Sequence, residues 1–391
     1  MRVALIDPSL FTLPYDRALV GGLMRIGHDV SLYGRKLRPA ESSVSPARLV
    51  EAFYRTSEGA LVRRCPPALR LAAKGVDHGW SMWRLLRRLR RDRPDVIHFQ
   101  WLALAVLDQM FLKALHQIAP IVLTVHDTNP FNGDASASIQ RRGIGSCLAL
   151  FDRLIVHTTQ GEGRLRRLGI ASERIEVLPH GMLVDAVPAP DPDPMTGTLT
   201  FLLFGKIKAY KGADLLIEAM AALPPEVARQ ARVRIVGEPL MDVVPLIARA
   251  RATGVAIDIE TGFVADQNIP RLFGSGTVAA FPYREIEASG VLFLALAHGR
   301  PIVASQLGSF AEMLVDGVHG RVVPPGDIPA LSEAMRHMIT DRGFAASCAT
   351  HVRALACSIP SWNEIARRTA GAYRTALAMP ERDRGPATER P

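Results

Sequence analysis

Short apolar runs alternate with longer segments of helical periodicity along most of the chain. In the first repeat, the apolar run Val3–Ile6 is followed by a polar loop, a helical segment over Asp16–Ile26 and a second apolar run, Val30–Tyr33. This order predicts a βαβ unit, because parallel strands need a crossover connection. The alternation starts again after a proline-rich stretch, so the pattern predicts two open, doubly wound α/β domains.

The other predicted elements follow the same alternation. Further strands are predicted over Val96–Phe99, Ile121–Val125, Leu154–His157, Glu176–Leu178, Leu199–Phe204, Val233–Val236, Ala256–Ile259, Ala279–Tyr283 and Pro301–Ala304. Further helices are predicted over Trp80–Arg91, Leu102–Leu115, Glu162–Leu168, Ala213–Leu223, Val243–Ala250, Ile269–Phe273, Val291–Ala297, Ile328–Thr340, Ala345–Leu355 and Ile365–Ala378. Residues 41–75 carry no clear motif, and their composition favours mostly helix.

The composition changes sharply over Asp185–Gly197, which contains four prolines. Proline fits neither a helix interior nor a central strand, so this stretch is predicted to be an interdomain linker. The predicted domains are residues 1–184 and 198–360, followed by a C-terminal helix over 361–379 and a disordered tail over 380–391. Both domains are Rossmann-like, and ligands bind at the carboxyl edge of such sheets. We therefore expect the site in a cleft where the two domains face each other.

Composition and charge narrow the class of protein. The chain has 391 residues, of which 48% are hydrophobic and 22% charged, as in globular proteins. No apolar run approaches the roughly 20 residues that span a bilayer, and the first residues do not resemble a signal peptide. Four scattered cysteines without a CxxC motif favour a reduced, cytoplasmic protein without a zinc site. Residues 1–181 carry 26 Lys and Arg against 16 Asp and Glu, a net charge of +10, which suggests an acidic partner.

A candidate anion site lies in the stretch Phe281–Ser305, FPYREIEASGVLFLALAHGRPIVAS. A strand ends in a polar loop, and Ser289 and Gly290 then open an apolar helix with Val291 as its next residue. The first-turn amides and the helix dipole favour negative charge there, and glycine lets a ligand approach the backbone. Glu285 and Glu287 precede the turn, where they could bind hydroxyl groups. This stretch is predicted to hold the diphosphate and sugar of an activated donor.

A second junction of the same kind is Phe204–Gly212, FGKIKAYKG. It also follows a strand and precedes a helix, and it places Lys206 and Lys211 near the end of the strand. Two cations can neutralise a diphosphate without a metal and stabilise charge on a leaving phosphate. The alternative is that Lys206, Lys211 and the intervening Lys208 are ordinary solvated lysines.

His126 ends a predicted strand in TVHD and is a candidate for the site. The alternative is a buried histidine that caps the next segment. His98, in IHFQW, also ends a predicted strand, and there a structural role is favoured. His180 and Gly181 precede the linker, where they could form a hinge turn.

The helix Trp80–Arg91, WSMWRLLRRLRR, combines tryptophan with many arginines. A half-buried helix with a charged outer face is the simpler interpretation. The sharper one is a membrane-surface patch with Trp at the interface and Arg toward anionic headgroups. RNA binding is less favoured, because no recognised nucleic-acid-binding module accompanies the charge.

Several segments together resemble a known family. GKIKAYKGADLLIEA, PYREIEASGVLFLALAHGRPIVAS and GSFAEMLVDGVHGRVVPPGD resemble, in order, three segments of the retaining, GT-B-fold glycosyltransferases of family 4, also called group 1. DVIHFQW, IVLTVHD and VLPHG resemble landmarks of their N-terminal domain. The resemblance covers most of the chain and specifies the family better than the substrate.

This resemblance implies a metal-independent hexosyltransferase with no cofactor beyond its nucleotide-diphospho-sugar substrate. The C-terminal domain would hold the donor and the N-terminal domain a glycan or lipid-linked acceptor, and the last helix would cross back onto the N-terminal domain. Transfer would retain the anomeric configuration. The implied donor-binding residues are Gly205, Lys206, Lys211, Glu285, Ser289, Gly290 and Val291, and the implied catalytic residues are His126, Glu287 and Lys211.

Two departures from the family pattern concern the site. The acids of the usual E-x7-E pattern fall on Ile286 and Leu294, so the contact with the sugar passes to Glu287 or Glu285. The first strand–helix loop, PSLFTLPYDR, lacks the common Gly-Gly pair, which occurs later as Gly21 and Gly22 within the predicted helix.

Three hypotheses follow. The first is a cytoplasmic glycosyltransferase, peripheral to the inner face of a membrane, that builds a polysaccharide or glycolipid and does not bind nucleic acid. The second is a nucleotide-sugar epimerase or phosphorylase on the same architecture, since fold alone does not determine function. The third is a non-enzymatic basic interaction protein that has lost the two acids of the pattern.

Overall fold

The computed structural model describes residues 1–38, 41, 48–57, 66–128, 144–183 and 195–379, which form two compact units. Unit 1 comprises Met1–Gly181 and Pro360–Pro391, and unit 2 comprises Met182–Ile359. The predicted linker lies outside the described residues up to position 194, and so does the predicted tail, 380–391.

Unit 1 is built on a seven-stranded, entirely parallel sheet. Its strands are β1 (Arg2–Ile6), β2 (Asp29–Gly34), β3 (Arg48–Glu51), β4 (Val96–Phe99), β5 (Ile121–Val125), β6 (Arg153–Val156) and β7 (Ile175–Val177). The order β3-β2-β1-β4-β5-β6-β7 reverses direction between β1 and β4. Ligands of such sheets bind outside the carboxyl ends of the strands at that reversal.

The helices of unit 1 that precede unit 2 are α1 (Leu13–Arg25), α2 (Pro67–Asp92), α3 (Ala105–His116), α4 (Ile144–Leu148) and α5 (Thr159–Arg167). The prediction that residues 41–75 are mostly helical was wrong for β3, which pairs with β2 as an edge strand. A four-residue edge strand with only two apolar residues leaves little periodicity in the sequence, whereas pairing with β2 satisfies its backbone.

Unit 2 contains a six-stranded parallel sheet of order β10-β9-β8-β11-β12-β13. Its strands are β8 (Leu199–Phe204), β9 (Ala231–Gly237), β10 (Ile257–Thr261), β11 (Thr277–Phe281), β12 (Ile302–Ser305) and β13 (Gly320–Val323). Its helices are α6 (Ala213–Ala221), α7 (Pro225–Ala228), α8 (Val244–Ala252), α9 (Ile269–Leu272), α10 (Gly290–Ala297), α11 (Gly308–Met313), α12 (Ile328–Thr340) and α13 (Arg342–Ser358). The order reverses between β8 and β11.

Strand β8 is a nearly continuous apolar run in the sequence because both of its faces are buried. Alternate side chains belong to two different core clusters, Phe201 and Leu203 to one and Leu202 and Phe204 to the other. All six residues are buried. A strand covered by side chains on both faces cannot alternate apolar with polar positions.

The last helix, α14 (Trp362–Ala378), belongs to unit 1 and packs against α1. A Cβ at Gly22 would overlap the carbonyl oxygen of Trp362 and lie 3.0 Å from the Cβ of Ala366. The second glycine of the displaced Gly-Gly pair therefore lets two helix backbones approach closely. Within the described part of the chain, no helix is both long and apolar enough to cross a bilayer.

Candidate functional site

The βα junction after β8 is shaped by two glycines with left-handed backbone. Gly205 (φ +103°) ends the strand, and Gly212 (φ +66°) precedes the first residue of α6. Between them, Ala209–Lys211 forms a single 3-10 turn. A side chain at either glycine position would be strained, so the sequence folds this way only because both residues are glycine.

The structure brings this junction and the one after β11 together. A Cβ at Gly205 would lie 3.0 Å from the Nζ of Lys211 and 3.3 Å from the Cγ2 of Val291. A Cβ at Gly212 would overlap the carbonyl oxygen of Pro282. The end of β8, the Lys211 ammonium and the first turn of α10 therefore meet at one point, at the reversal of strand order.

Arg284 fastens the two junctions to each other. Its backbone N–H donates to the carbonyl of Tyr210 (2.7 Å), and its guanidinium donates to both carboxylate oxygens of Asp214 (2.8 and 2.6 Å). It also donates to the carbonyl of Ala209 (3.0 Å). Bidentate pairs of this kind fix orientation as well as distance. This contact is not predictable from the sequence, because the paired residues are 70 positions apart and carry no motif.

Lys211 is buried, with 7% of its surface exposed, and its Nζ lies 5.4 Å from the ring centroid of Tyr283. Burial, together with the positive charges of Lys208 and Lys206, lowers the pKa of Lys211 from 10.5 to about 7. Lys208, which sequence analysis treated as a surface residue, therefore acts on the buried ammonium together with Lys206. A desolvated cation beside two others is stabilised by an anion, so this arrangement favours an anionic ligand.

The two candidate acids of this site differ in accessibility. Glu287 has 1% of its surface exposed, and its carbonyl accepts a hydrogen bond from the N–H of Ser309 (2.7 Å). Gly308 (φ +46°) lies so close to this segment that a Cβ would be 2.5 Å from the carbonyl oxygen of Ile286. Glu285 is partly exposed. Glu285 is therefore the more accessible of the two carboxylates.

The N-terminus of α10 is less open than expected for an anion site. Ser289 is buried and precedes the helix without a side-chain hydrogen bond to its first amides. A Cβ at Gly290 would lie 3.1 Å from the Cδ1 of Leu183. In this structure the missing side chain of Gly290 therefore accommodates Leu183 rather than an open surface. Ile286 is buried in a core cluster, and Leu294 packs against that cluster.

In unit 1, polar side chains follow several neighbouring strands at their carboxyl ends. A chain of hydrogen bonds joins them, with distances of 2.7, 3.3, 3.0, 3.1 and 3.0 Å between successive groups. Its members, in order, are the Tyr373 hydroxyl, His98, Gln100, His126, His157 and the Leu178 carbonyl. The Tyr15 ring packs on His126, His157 and His180, with centroid distances of 4.7, 5.3 and 5.1 Å.

The Leu178 carbonyl at the end of this hydrogen-bond chain determines which ring nitrogens carry a proton. Burial lowers the pKa of His98 to about 3 and that of His157 to about 4, and the pKa of His126 also lies well below its usual value, so the rings are neutral near pH 7. The Leu178 carbonyl needs a donor, so His157 Nδ1 donates to it and His157 Nε2 accepts from His126 Nδ1. The structure directs Gln100 Oε1 at His126 and Gln100 Nε2 at His98, and neutral rings require the opposite orientation of this amide.

Both ring nitrogens of His126 are therefore engaged within unit 1. The structure places His126 directly after a strand, as predicted, and its half-buried ring is held by hydrogen bonds at both nitrogens. His98 has both ring nitrogens bonded as well, to Tyr373 and Thr124. His126 can contact a ligand through its ring surface or backbone without a change in these bonds.

The loop after β1 contains a buried pair of carboxyl groups that sequence analysis did not single out. Thr12 Oγ1 lies 3.2 Å from Asp7 Oδ2 and 3.4 Å from Asp16 Oδ1, and both aspartates are fully buried. Burial raises the pKa of both, and the negative charge of Asp7 raises that of Asp16 further. Two such carboxyl groups cannot both ionise easily, so one retains its proton. Among the described residues, no group of three or more His, Cys, Asp or Glu could hold a metal ion.

Two doubly wound parallel sheets, the second with a cationic site where its strand order reverses, define a two-domain Rossmann-like protein. Residues 17–185 match the family described as Glycosyltransferase Family 4, and residues 198–341 match Glycosyl transferases group 1. The chain belongs to the group 1 glycosyltransferases of family 4.

Named relatives cover the chain to different extents. Alpha-D-kanosaminyltransferase of Streptomyces kanamyceticus is 28% identical over 174 residues, which is 44% of this chain and 45% of the relative. Glycogen synthase of Mycobacterium tuberculosis is 27% identical over 334 residues, or 83% of this chain and 75% of the relative. D-inositol 3-phosphate glycosyltransferase of Xylanimonas cellulosilytica is 26% identical over 71% of each chain.

Solved structures of glycosyltransferases share the fold. HepE of Anabaena, in complex with UDP and glucose, has a TM-score of 0.73 at 17% identity, covering 96% of this chain and 100% of HepE. Sucrose-phosphate synthase of Thermosynechococcus elongatus has a TM-score of 0.74 at 19% identity, covering 97% of this chain and 99% of that protein. The protein therefore has the GT-B fold, and the two parallel sheets predicted from the sequence are confirmed.

Proposed function

We propose that the protein transfers a hexose from a nucleoside-diphosphate sugar to a glycan or lipid-linked acceptor. The observation that carries this proposal is the position of the buried Lys211 ammonium beside Gly205 and Val291, with Lys206 and Lys208 acting on it. These cations would offset the charge of a diphosphate without a metal ion. The UDP complex of HepE, which has the same fold, supports a nucleotide donor.

In this mechanism, the bond between the anomeric carbon and the diphosphate oxygen breaks, an acceptor hydroxyl forms the new glycosidic bond with retention of configuration, and the proton of that hydroxyl passes to the departing diphosphate. Negative charge grows on the departing diphosphate, which Lys211 and Lys206 stabilise together with the backbone amides of Ser289, Gly290 and Val291. Glu285, the more accessible of the two acids, or Glu287 beside it binds a hydroxyl of the sugar. The nucleotide-sugar is a substrate, and no further cofactor is needed.

Unit 1 would hold the acceptor. His126, fixed by Gln100 and His157, would present its ring surface there, and the acceptor would contact the neighbouring strand ends. Neutral, hydrogen-bonded histidine rings suit hydroxyl groups better than a charged ligand. The acceptor would therefore be recognised mainly through hydroxyls.

The direct test is a thermal-shift screen with UDP-, GDP-, ADP- and TDP-sugars, followed by a transfer assay with the donor that stabilises the protein. We expect stabilisation by one nucleotide class, acceptor-dependent release of the nucleoside diphosphate in the presence of EDTA, and a product whose anomeric coupling in NMR matches the donor. Donor returned as an isomer without acceptor would indicate an epimerase. Absence of binding to any nucleotide-sugar would favour the non-enzymatic interaction protein.

Donor binding should also depend on pH through Lys211. Its pKa is lowered to about 7 by burial, so the ligand-free protein loses this charge as the pH rises above that value. A bound diphosphate needs the ammonium, so affinity should fall by up to about tenfold per pH unit above neutral, where the phosphates are already ionised. Calorimetry of nucleoside diphosphate binding in buffers of different ionisation enthalpy would show proton uptake at pH 8. In Lys211→Arg, which keeps its charge, this dependence should disappear; the same slope in both proteins would contradict the assignment.

A further inference from the structure

Helix α2 has one face in the core of unit 1 and a second, outward face that is unusually apolar. Met82, Leu85 and Leu89 are buried in the core cluster of unit 1. On the outward face, four large side chains are exposed: Leu69 (60%), Val76 (76%), Trp80 (55%) and Trp83 (37%). Charged or small residues are expected on the outer face of such a helix, so this face needs a separate explanation.

The four side chains form one stripe, which we term the tryptophan stripe of α2 (Leu69, Val76, Trp80 and Trp83). They are spaced by seven, four and three residues, which places them on the same side of an α-helix. From Leu69 to Trp83 the stripe extends roughly 21 Å at about 1.5 Å per residue. The Trp80 and Trp83 rings stack on each other, with centroids 4.6 Å apart and planes inclined by 22°. Together they offer a broad indole surface to the outside.

The net charge of the same helix is strongly positive. Its sequence contains seven Lys and Arg against two Asp. Asp77 is buried and accepts hydrogen bonds from the backbone N–H groups of Thr56 and Ser57, and Asp92 binds Arg88. The negative charges are thus turned inward or paired, whereas Arg87, Arg90 and Arg91 are exposed at the C-terminal end of the helix.

Arginine and tryptophan are also in direct contact. The Arg87 guanidinium carbon lies 4.8 Å from the centroid of the Trp83 ring. A surface that pairs indole rings with exposed guanidinium groups fits a partner that has both an apolar layer and a negatively charged layer at a different depth. A bilayer with anionic headgroups supplies both, since indole prefers the interface and arginine extends to the phosphates. Nucleic acid supplies the negative charge but no apolar layer along the helix.

We propose that the tryptophan stripe of α2 and the adjacent arginines dock unit 1 on an anionic lipid bilayer. Trp80 and Trp83 enter the boundary between headgroups and acyl chains, with the helix parallel to the membrane plane. Arg87, Arg90 and Arg91 lie at the phosphates, where the negative surface potential attracts each cation. This docking depends on α2 and is independent of the proposed sugar transfer.

The experiment is flotation of the full chain with phosphatidylcholine vesicles, with and without phosphatidylglycerol, in low salt. We expect binding to the anionic vesicles, together with a blue shift of tryptophan emission. Trp80→Ala combined with Trp83→Ala should weaken partitioning at least tenfold and abolish the shift. The matched control is Val244→Ala combined with Phe263→Ala, which removes two similarly exposed apolar side chains from unit 2 and should bind as the wild type does.

All four side chains replaced are exposed, so circular dichroism and melting temperature should be unchanged in both double variants. Equal binding of the tryptophan variant and the wild type, or no binding to either vesicle, would overturn the proposal. A dimer in light scattering that dissociates in the tryptophan variant would assign the face to self-association instead. Retention of RNA by this face, without vesicle binding, would assign it to nucleic acid.

Discussion

Replacing Lys211 by methionine is expected to lower the rate of sugar transfer by about 10²–10³-fold, because loss of one donor to a developing anion costs about 2.7–4 kcal/mol. The Nζ of Lys211 meets the end of β8 and the first turn of α10, where the proposed diphosphate lies. Methionine fills a similar volume but carries no charge. The fall should therefore appear in kcat measured at saturating donor.

Stability separates this effect from unfolding. The pKa of Lys211 is lowered from 10.5 to about 7, so the folded protein takes up this proton less readily than the unfolded chain throughout that range. Removing the group should leave the melting temperature unchanged or raise it near pH 7, since no buried charge has to be desolvated. Lys113→Met, on the exposed face of α3, is the matched control and should keep full activity. Near-normal turnover of Lys211→Met would refute the role of Lys211.

Gly212→Ala is expected to destabilise unit 2 by roughly 3–5 kcal/mol, the sum of a strained backbone and an overlap that must be relieved. Gly212 has φ +66°, and a Cβ there would overlap the carbonyl oxygen of Pro282. The overlap also pushes apart the two junctions that Arg284 holds together. Urea denaturation should show a lower midpoint, and binding of nucleoside diphosphate should weaken in the fraction that remains folded.

Gly254 provides a control, because its backbone conformation is nearly that of Gly212 but no atom lies close to the position of an added Cβ. Gly254 has φ +69°, and a Cβ there would meet nothing within 4 Å. Gly254→Ala should therefore cost only the backbone part, about 1–2 kcal/mol, and leave nucleotide binding intact. If both variants lose the same stability, the contact of Gly212 with Pro282 contributes nothing.

The fold was largely predictable because its parallel strands are covered on both faces. Continuous apolar runs such as Leu199–Phe204 then stand out, and the turns between them are marked by glycine and proline. The two strands that were missed, Arg48–Glu51 and Gly320–Val323, have four residues each and lie at the ends of their sheets. There, pairing with one neighbour outweighs a weak local pattern.

The geometry of the candidate donor site was predictable in part. Lys211, Gly205 and Val291 meet because both junctions follow strands next to the reversal of sheet order, which sequence alternation reveals. The burial of Glu287 was not predictable, because it depends on the position of Gly308, about 20 residues further along the chain. The hydrogen-bond chain through His126 was also hidden, since its members come from five separate segments of unit 1.

The Arg284–Asp214 pair has a consequence for engineering donor preference. Because Arg284 bonds the two junctions to each other, we expect residues 205–214 and 282–291 to be exchangeable only together. A chimera that takes only one of these two segments from another glycosyltransferase would lose the Arg284–Asp214 pair, whereas a chimera that takes both segments together would keep a matched pair.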